Sequence, residues 1–328
     1  MIREATIALV LLAVMIGLSS GGTLGAIAPS HSPSIPAAVC SGPAATGGLA
    51  HSPVLTCAGP MVAKATAHAK YITTISPGSS SSIISVGSGI YIEDWSNGSL
   101  YHWSKSLGLT FVTTAPSGGV FDGYWGMADG TVGGIFAIYL ISFTAEGLYA
   151  CAGATATGCS SLSAFIPLPA TFCSKMPAGY CHPDGLAFYN GNLYYADLSS
   201  DVEVELYGAT GFTSAAIYHT FPSGAEPDGI FIDSSGNHWI ADASCSGHVY
   251  KDGVLYKSVG DELESIAVVK GNVYVGDNGI CHGTVGHIAN LTSGKSLPTV
   301  KGAGAFEVPT FSTNFYFTYY SVTSVYKA

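Results

Sequence analysis

The chain has 328 residues, of which 48% are apolar and only 10% charged, and its 21 acidic and 11 basic residues give a formal net charge of −10. The apolar share excludes a disordered chain. No basic run occurs anywhere, which excludes nucleic acid as a partner, because a polyphosphate is held by clustered Lys and Arg. Ser, Thr, Gly and Tyr stand where Lys and Glu usually do, a composition that suits strands joined by tight turns.

At the N-terminus, Met1-Ile2-Arg3-Glu4 precedes an apolar run from Ala5 to Leu18 and then small residues from Ser19 to Ala28. That order is the order of a secretory signal peptide. The same stretch is also long enough for a retained membrane anchor, since ~20 apolar residues span a bilayer. Residues 1–28 are therefore a signal peptide or signal anchor, and the chain is expected to be extracytoplasmic, secreted or anchored at the cell surface. Residues 29–66, rich in Ala, Pro, Ser and Gly, read as a linker, and 67–328 as the folded domain. Eight cysteines fit an oxidising compartment. Proximity pairs Cys40 with Cys57, Cys151 with Cys159, Cys173 with Cys181 and Cys245 with Cys281, one of the 105 pairings that eight thiols allow. Asn97 and Asn290 open glycosylation sequons.

Beyond the linker a unit repeats. Pro183-Asp-Gly-Leu-Ala-Phe leads to Gly191-Asn-Leu-Tyr-Tyr-Ala-Asp197, Pro227-Asp-Gly-Ile-Phe-Ile to Gly236-Asn-His-Trp-Ile-Ala-Asp242, and Glu264-Ser-Ile-Ala-Val-Val to Gly271-Asn-Val-Tyr-Val-Gly-Asp277. Each is a strand, a Gly-Asn turn and a second strand with an aromatic near its start, which spells a β-hairpin. Weaker copies lie at Gly89–Asp94 and Asn314–Tyr319, and a stretched one runs from Asp122 past Gly134 to Cys151 and Cys159. Six units at roughly the ~40–45-residue spacing of a four-stranded blade predict an all-β fold, a six-bladed β-propeller of antiparallel four-stranded blades. The last unit lacks an outer strand, and residues 67–75 are placed to supply it and fasten the ring.

The segment from Pro227 to Asp242 resembles the blade signature shared by the senescence-marker-protein-30/gluconolactonase family, the NHL-repeat proteins and the streptogramin-lyase-like proteins. The resemblance implies a propeller. Its gluconolactonase branch implies lactone hydrolysis with a divalent cation at the top of the channel, held by a Glu, an Asn and an Asp. Asp228 stands where that family has its Asp, and Asp184 where it has Asn. The family's Gly-Glu-x-Pro has its nearest counterpart at Glu307, in the last unit.

Independently of any family, five of the six units carry an acid just before the first strand: Asp184, Asp228, Glu264, Glu307 and, in the stretched copy, Asp122; the first unit has Ser81 instead. In a closed ring equivalent positions meet at one mouth of the channel. Carboxylates crowded there repel one another unless a cation neutralises them, and oxygen ligands favour Ca²⁺ or Mg²⁺. The rival reading of Asp before Gly is a backbone-capping turn. Asp94, Asp197, Asp242 and Asp277, after the second strand, are read as structural, and the repeated aromatics as packing residues. His182 precedes the Asp184 segment and is placed to act as a base, with Asp184 as its alternative. His282, beside Cys281, is a further candidate. No Gly-x-Ser-x-Gly elbow, His-Glu-x-x-His or phosphate-binding loop occurs. Three functions follow: a binding or scaffold propeller that takes a small-molecule or protein ligand at the mouth, a metal-dependent lactone hydrolase or lyase, and a cell-surface structural protein.

Overall fold

A computed structural model describes residues 70–327 except 76–79, 95–97, 115–125, 143–145, 156–160, 163–164, 209–210, 283–285, 298–308, 314 and 320–323. The expected leader and linker, Cys40, Cys57, Asn97, Asp122, Cys159 and Glu307 lie outside the described residues. Among those described, no helix is long and apolar enough to cross a membrane.

After β1 (Lys70–Thr74), the chain forms successive antiparallel sheets. The first holds β2 (Ser80–Val86), β3 (Gly89–Asp94), β4 (Ser99–Ser104) and β5 (Gly108–Thr114). The second holds β6 (Met127–Val132), β7 (Ile135–Ser142), β8 (Gly147–Ala152), β9 (Ser161–Leu162) and β10 (Ile166–Pro167). A four-residue helix, α1 (Ala170–Cys173), leads to the third, with β11 (Pro183–Tyr189), β12 (Asn192–Asp197), β13 (Val202–Tyr207) and β14 (Ser214–Thr220). The fourth holds β15 (Pro227–Ile232), β16 (His238–Asp242), β17 (His248–Lys251) and β18 (Val254–Ser258), and the fifth β19 (Leu263–Val269), β20 (Asn272–Asp277), β21 (His287–Asn290) and β22 (Lys295–Ser296). The last has β23 (Pro309–Phe311), β24 (Tyr316–Tyr319) and β25 (Ser324–Lys327), with β1 paired along β25 as its outer strand. The N-terminal strand thus completes the C-terminal sheet as expected, covering an edge that would otherwise stay open.

The first strands of the sheets neighbour one another in the order β2, β6, β11, β15, β19, β23, and β23 returns to β2. The fold is an all-β propeller of four-stranded antiparallel blades. The expectation of six four-stranded blades needs one correction: five blades have four strands, and the second sheet departs from that pattern with five. There β9 and β10, two residues each, both pair with β8 on the side away from β7, so one outer strand is interrupted and counted twice.

Apolar faces close between sheets. Tyr139, Ile141 and Leu148 of the second pack with Leu193, Tyr195 and Val204 of the third, and Trp239, Ala241 and Val249 of the fourth with Val273, Val275 and Ala289 of the fifth. Burying such a side chain fully is worth ~1.5–3 kcal/mol over leaving it in water. The repeated aromatics Tyr91, Tyr194 and Trp239 are buried in this packing.

The hairpin turns sit one residue earlier than the Gly-Asn reading placed them. Asn190 (φ 49°) with Gly191 (φ 85°), and Lys270 (φ 51°) with Gly271 (φ 76°), make the two-residue connections, while Asn192 and Asn272 open the following strands. Two consecutive positive φ values are what a type I′ hairpin turn requires. Cys173–Cys181 and Cys245–Cys281 are disulfides. Cys151 is disulfide-bonded as well.

Candidate functional site

A cavity of about 290 Å³ runs among the first strands and is lined by Asp184, Asp228 and Glu264, with Gly126, Ser265 and Ser312 among the other contributors. Each acid is the second residue of its strand, and each lies at a register shift: Pro183/Leu186 on β11, Pro227/Ile230 on β15 and Leu263/Ser265 on β19. A bulge re-aims side chains that regular pleating would alternate. The same irregularity recurs between Ser80 and Ser82 on β2.

The glycine after each Asp answers a different need from the turn that Asp-Gly implied. A Cβ on Gly185 would stand 2.3 Å from the Asp228 carbonyl oxygen, and one on Gly229 2.8 Å from the Ser265 Cα. The inner strands therefore approach too closely for any side chain there. Gly126 makes the same approach to the Asp184 carbonyl, at 2.4 Å.

The acids that follow each second strand fix the entrance to the site. Asp197 Oδ2 accepts the His182 N–H at 2.8 Å, and Asp242 Oδ1 accepts the Glu226 N–H at 3.1 Å and that of Ser244 at 2.8 Å. Asp277 Oδ1 accepts the Gly279 N–H at 2.9 Å. These are the structural roles expected of them, and Asp197 and Asp242 hold the residue just ahead of inner strands β11 and β15.

Burial dominates the electrostatics of the mouth. Asp184 and Asp228 are buried, and Asp184 Oδ2 has no hydrogen-bond partner. Burial, then Glu264 and Asp197, push the Asp184 carboxyl up to about 8. Burial, then Asp184 and Glu264, push Asp228 well above the usual carboxylate range, and Asp228 shares a hydrogen bond with Glu264. Asn278 Nδ2 donates to Glu264 Oε1 at 3.2 Å. Glu262 is raised to about 8, by burial and then by Glu264, and the exposed Glu226 is raised by burial, then Asp242, Asp201 and Glu264. Glu226 and Glu262 each lie two residues ahead of a channel acid, and the sequence reading passed over them. Alternation along a strand was the available signal, and His182 occupies the same offset before Asp184.

His182 does not line the cavity; its Nδ1 lies 2.5 Å from Ser199 Oγ, and burial lowers it to about 4, so the ring is neutral at neutral pH. His282 pairs with Asp261 at 2.8 Å. Of the five expected acids, Asp184, Asp228 and Glu264 line one cavity.

Among the described residues, the three-residue group of His, Cys, Asp and Glu whose ligand atoms lie within 4.8 Å of one another is Glu203, His219 and His238. None of the three lines the cavity. Its two imidazoles depart from the all-oxygen ligand set expected for Ca²⁺ or Mg²⁺, and no repeated motif had marked it.

No family model and no curated protein matches the sequence. Solved structures do match. A gluconolactonase of Xanthomonas campestris aligns at 9% identity over 80% of this chain and 95% of that one, with a TM-score of 0.51. A protein of unknown function from Bacteroides thetaiotaomicron aligns at 15% identity over 80% and 70%, also at 0.51. A streptogramin B lyase aligns at 11% identity over 77% and 94%, at 0.49. At these identities the matches define the fold alone.

Proposed function

We propose that the protein is an exported binding propeller whose channel mouth holds a hard divalent cation, Ca²⁺ or Mg²⁺, and presents it to a small-molecule or protein ligand. The reading takes the interrupted second sheet as the sixth blade, so that six inner strands surround one channel. Its main support is the shared placement of Asp184, Asp228 and Glu264 in one cavity, with an Asp184 oxygen left unpartnered. Among the described residues no Lys or Arg forms a salt bridge to these acids, and a buried carboxylate is costly without a counter-charge. The disulfides accord with export. A second reading, a metal-dependent lactone hydrolase or lyase, is favoured by the Asp184 carboxyl, whose titration near about 8 in a cavity is that of a general base near neutrality.

Thermal unfolding with added Ca²⁺ or Mg²⁺ tests the binding. A rise in Tm for the wild type that disappears in Asp184→Asn/Asp228→Asn supports the site, and no rise with either ion removes its basis. A lactone panel assayed with the stabilising ion separates enzyme from scaffold.

A further inference from the structure

A second group of ligating side chains lies between the third and fourth sheets. Glu203 on β13 and His219 on β14 are cross-strand partners, and the register shifts immediately after them. His219 Nδ1 stands 2.7 Å from Glu203 Oε2, while His238, the first residue of β16, turns its own Nδ1 to Oε1 of the same carboxylate. Glu203 is 0% exposed and, among the described residues, its ion pairs are with these two histidines. We propose that Glu203, His219 and His238 bind one borderline transition-metal ion, Zn²⁺ foremost, that bridges two blades and keeps a coordination position open beside His219.

The donor set carries the assignment. Two imidazole nitrogens and one carboxylate oxygen suit Zn²⁺, Co²⁺ or Ni²⁺, whereas Ca²⁺ and Mg²⁺ take oxygen ligands. Three protein ligands leave a position for water, the arrangement of zinc sites that stay open. The His219 side chain is 23% exposed, which gives the ion a way in from solvent.

The rings are held in place before any ion arrives. Tyr218 stacks on His238 at 4.5 Å and 26°, and Tyr194 meets it edge-on at 4.7 Å. The His238 backbone N–H donates to Asp252 Oδ1 at 2.8 Å. Gly253, at φ +74°, leaves the room that His219 needs, since a Cβ there would come within 2.9 Å of its Cδ2. The surroundings are acidic: Glu205 accepts the Tyr194 hydroxyl at 2.9 Å, and Asp252 lies against the His238 backbone. A divalent cation offsets that charge.

Chelator-stripped, tag-free protein is titrated with Co²⁺ and followed by visible absorption, then challenged with Zn²⁺. One Co²⁺ per chain with a ligand-field band, displaced by Zn²⁺ and untouched by excess Ca²⁺ or Mg²⁺, is the expected result. His219→Ala and Glu203→Gln should each weaken binding by about 100-fold, while Asp184→Asn/Asp228→Asn leaves it unchanged. His219 is partly exposed, so His219→Ala, shown to be folded by circular dichroism, keeps the test decisive if Glu203→Gln does not fold. Absence of a Co²⁺ band, or a band that His219→Ala leaves intact, overturns the assignment and makes the three side chains a hydrogen-bonded tie between blades.

Discussion

Replacing Asp184 by Asn keeps the shape of the side chain and removes its charge. In the presence of a chelator the wild-type carboxyl titrates at about 8 in the folded chain against 3.8 for an ordinary Asp, chiefly because it is buried. Below 3.8 both folded and unfolded chains hold the proton, and the full stability is present. Between 3.8 and about 8 the unfolded chain gives it up while the folded chain keeps it, so wild-type stability falls as the pH rises through that window. Each pKa unit is worth about 1.4 kcal/mol, and the interval from 3.8 to about 8 sets a ceiling of roughly 5–6 kcal/mol by about pH 9. Water in an open channel and relaxation of the side chains reduce this to ~2–3 kcal/mol, about 4–5 °C in Tm for a domain of this size. Scanning calorimetry in EDTA from about pH 5 to about pH 9 should therefore show wild-type Tm falling more steeply than that of Asp184→Asn, with the two curves closest at the acid end. Added Ca²⁺ binds the ionised form and should restore the wild type at about pH 8 while leaving the variant unmoved. Parallel curves, or a wild type that gains stability toward high pH, would refute the burial argument.

Deleting residues 1–75 removes β1 and bares the edge of β25; Tm should drop by about 10 °C or more, with aggregation on heating. Gly229→Ala places a Cβ 2.8 Å from the Ser265 Cα, so it should cost roughly 2–4 kcal/mol in chemical denaturation, against ~1 kcal/mol or less for Gly271→Ser at an open turn. Opening Cys245–Cys281, which spans 36 residues, by a double Cys→Ser change should lower stability by about 3–4 kcal/mol with no loss of soluble fold.

The repeat made the propeller legible. An acid, an apolar strand, a two-residue turn and an aromatic recur at fixed offsets, and only a ring brings such offsets to one place. The N-terminal closing strand was legible too, from the missing outer strand of the last unit. What stayed hidden depends on contacts between blades. Asp-Gly looks the same whether the Gly serves a turn or the close passage of Asp228 beside Gly185. The interruption of the second sheet's outer strand has no mark in composition. Glu203, His219 and His238 come from the third and fourth strands of one blade and the second strand of the next, so no spacing in the chain announces them. Glu262 and Glu226 were readable from the alternation of strand residues around Glu264 and Asp228.

Anomalous diffraction from a crystal soaked in Mn²⁺, a stand-in for Mg²⁺ and Ca²⁺, examines the cation at the mouth most directly. A peak within about 2–2.6 Å of carboxylate oxygens from Asp184, Asp228 and Glu264 is the predicted result. A saturating soak that leaves the channel without a peak, the three carboxyls still side by side, would contradict it.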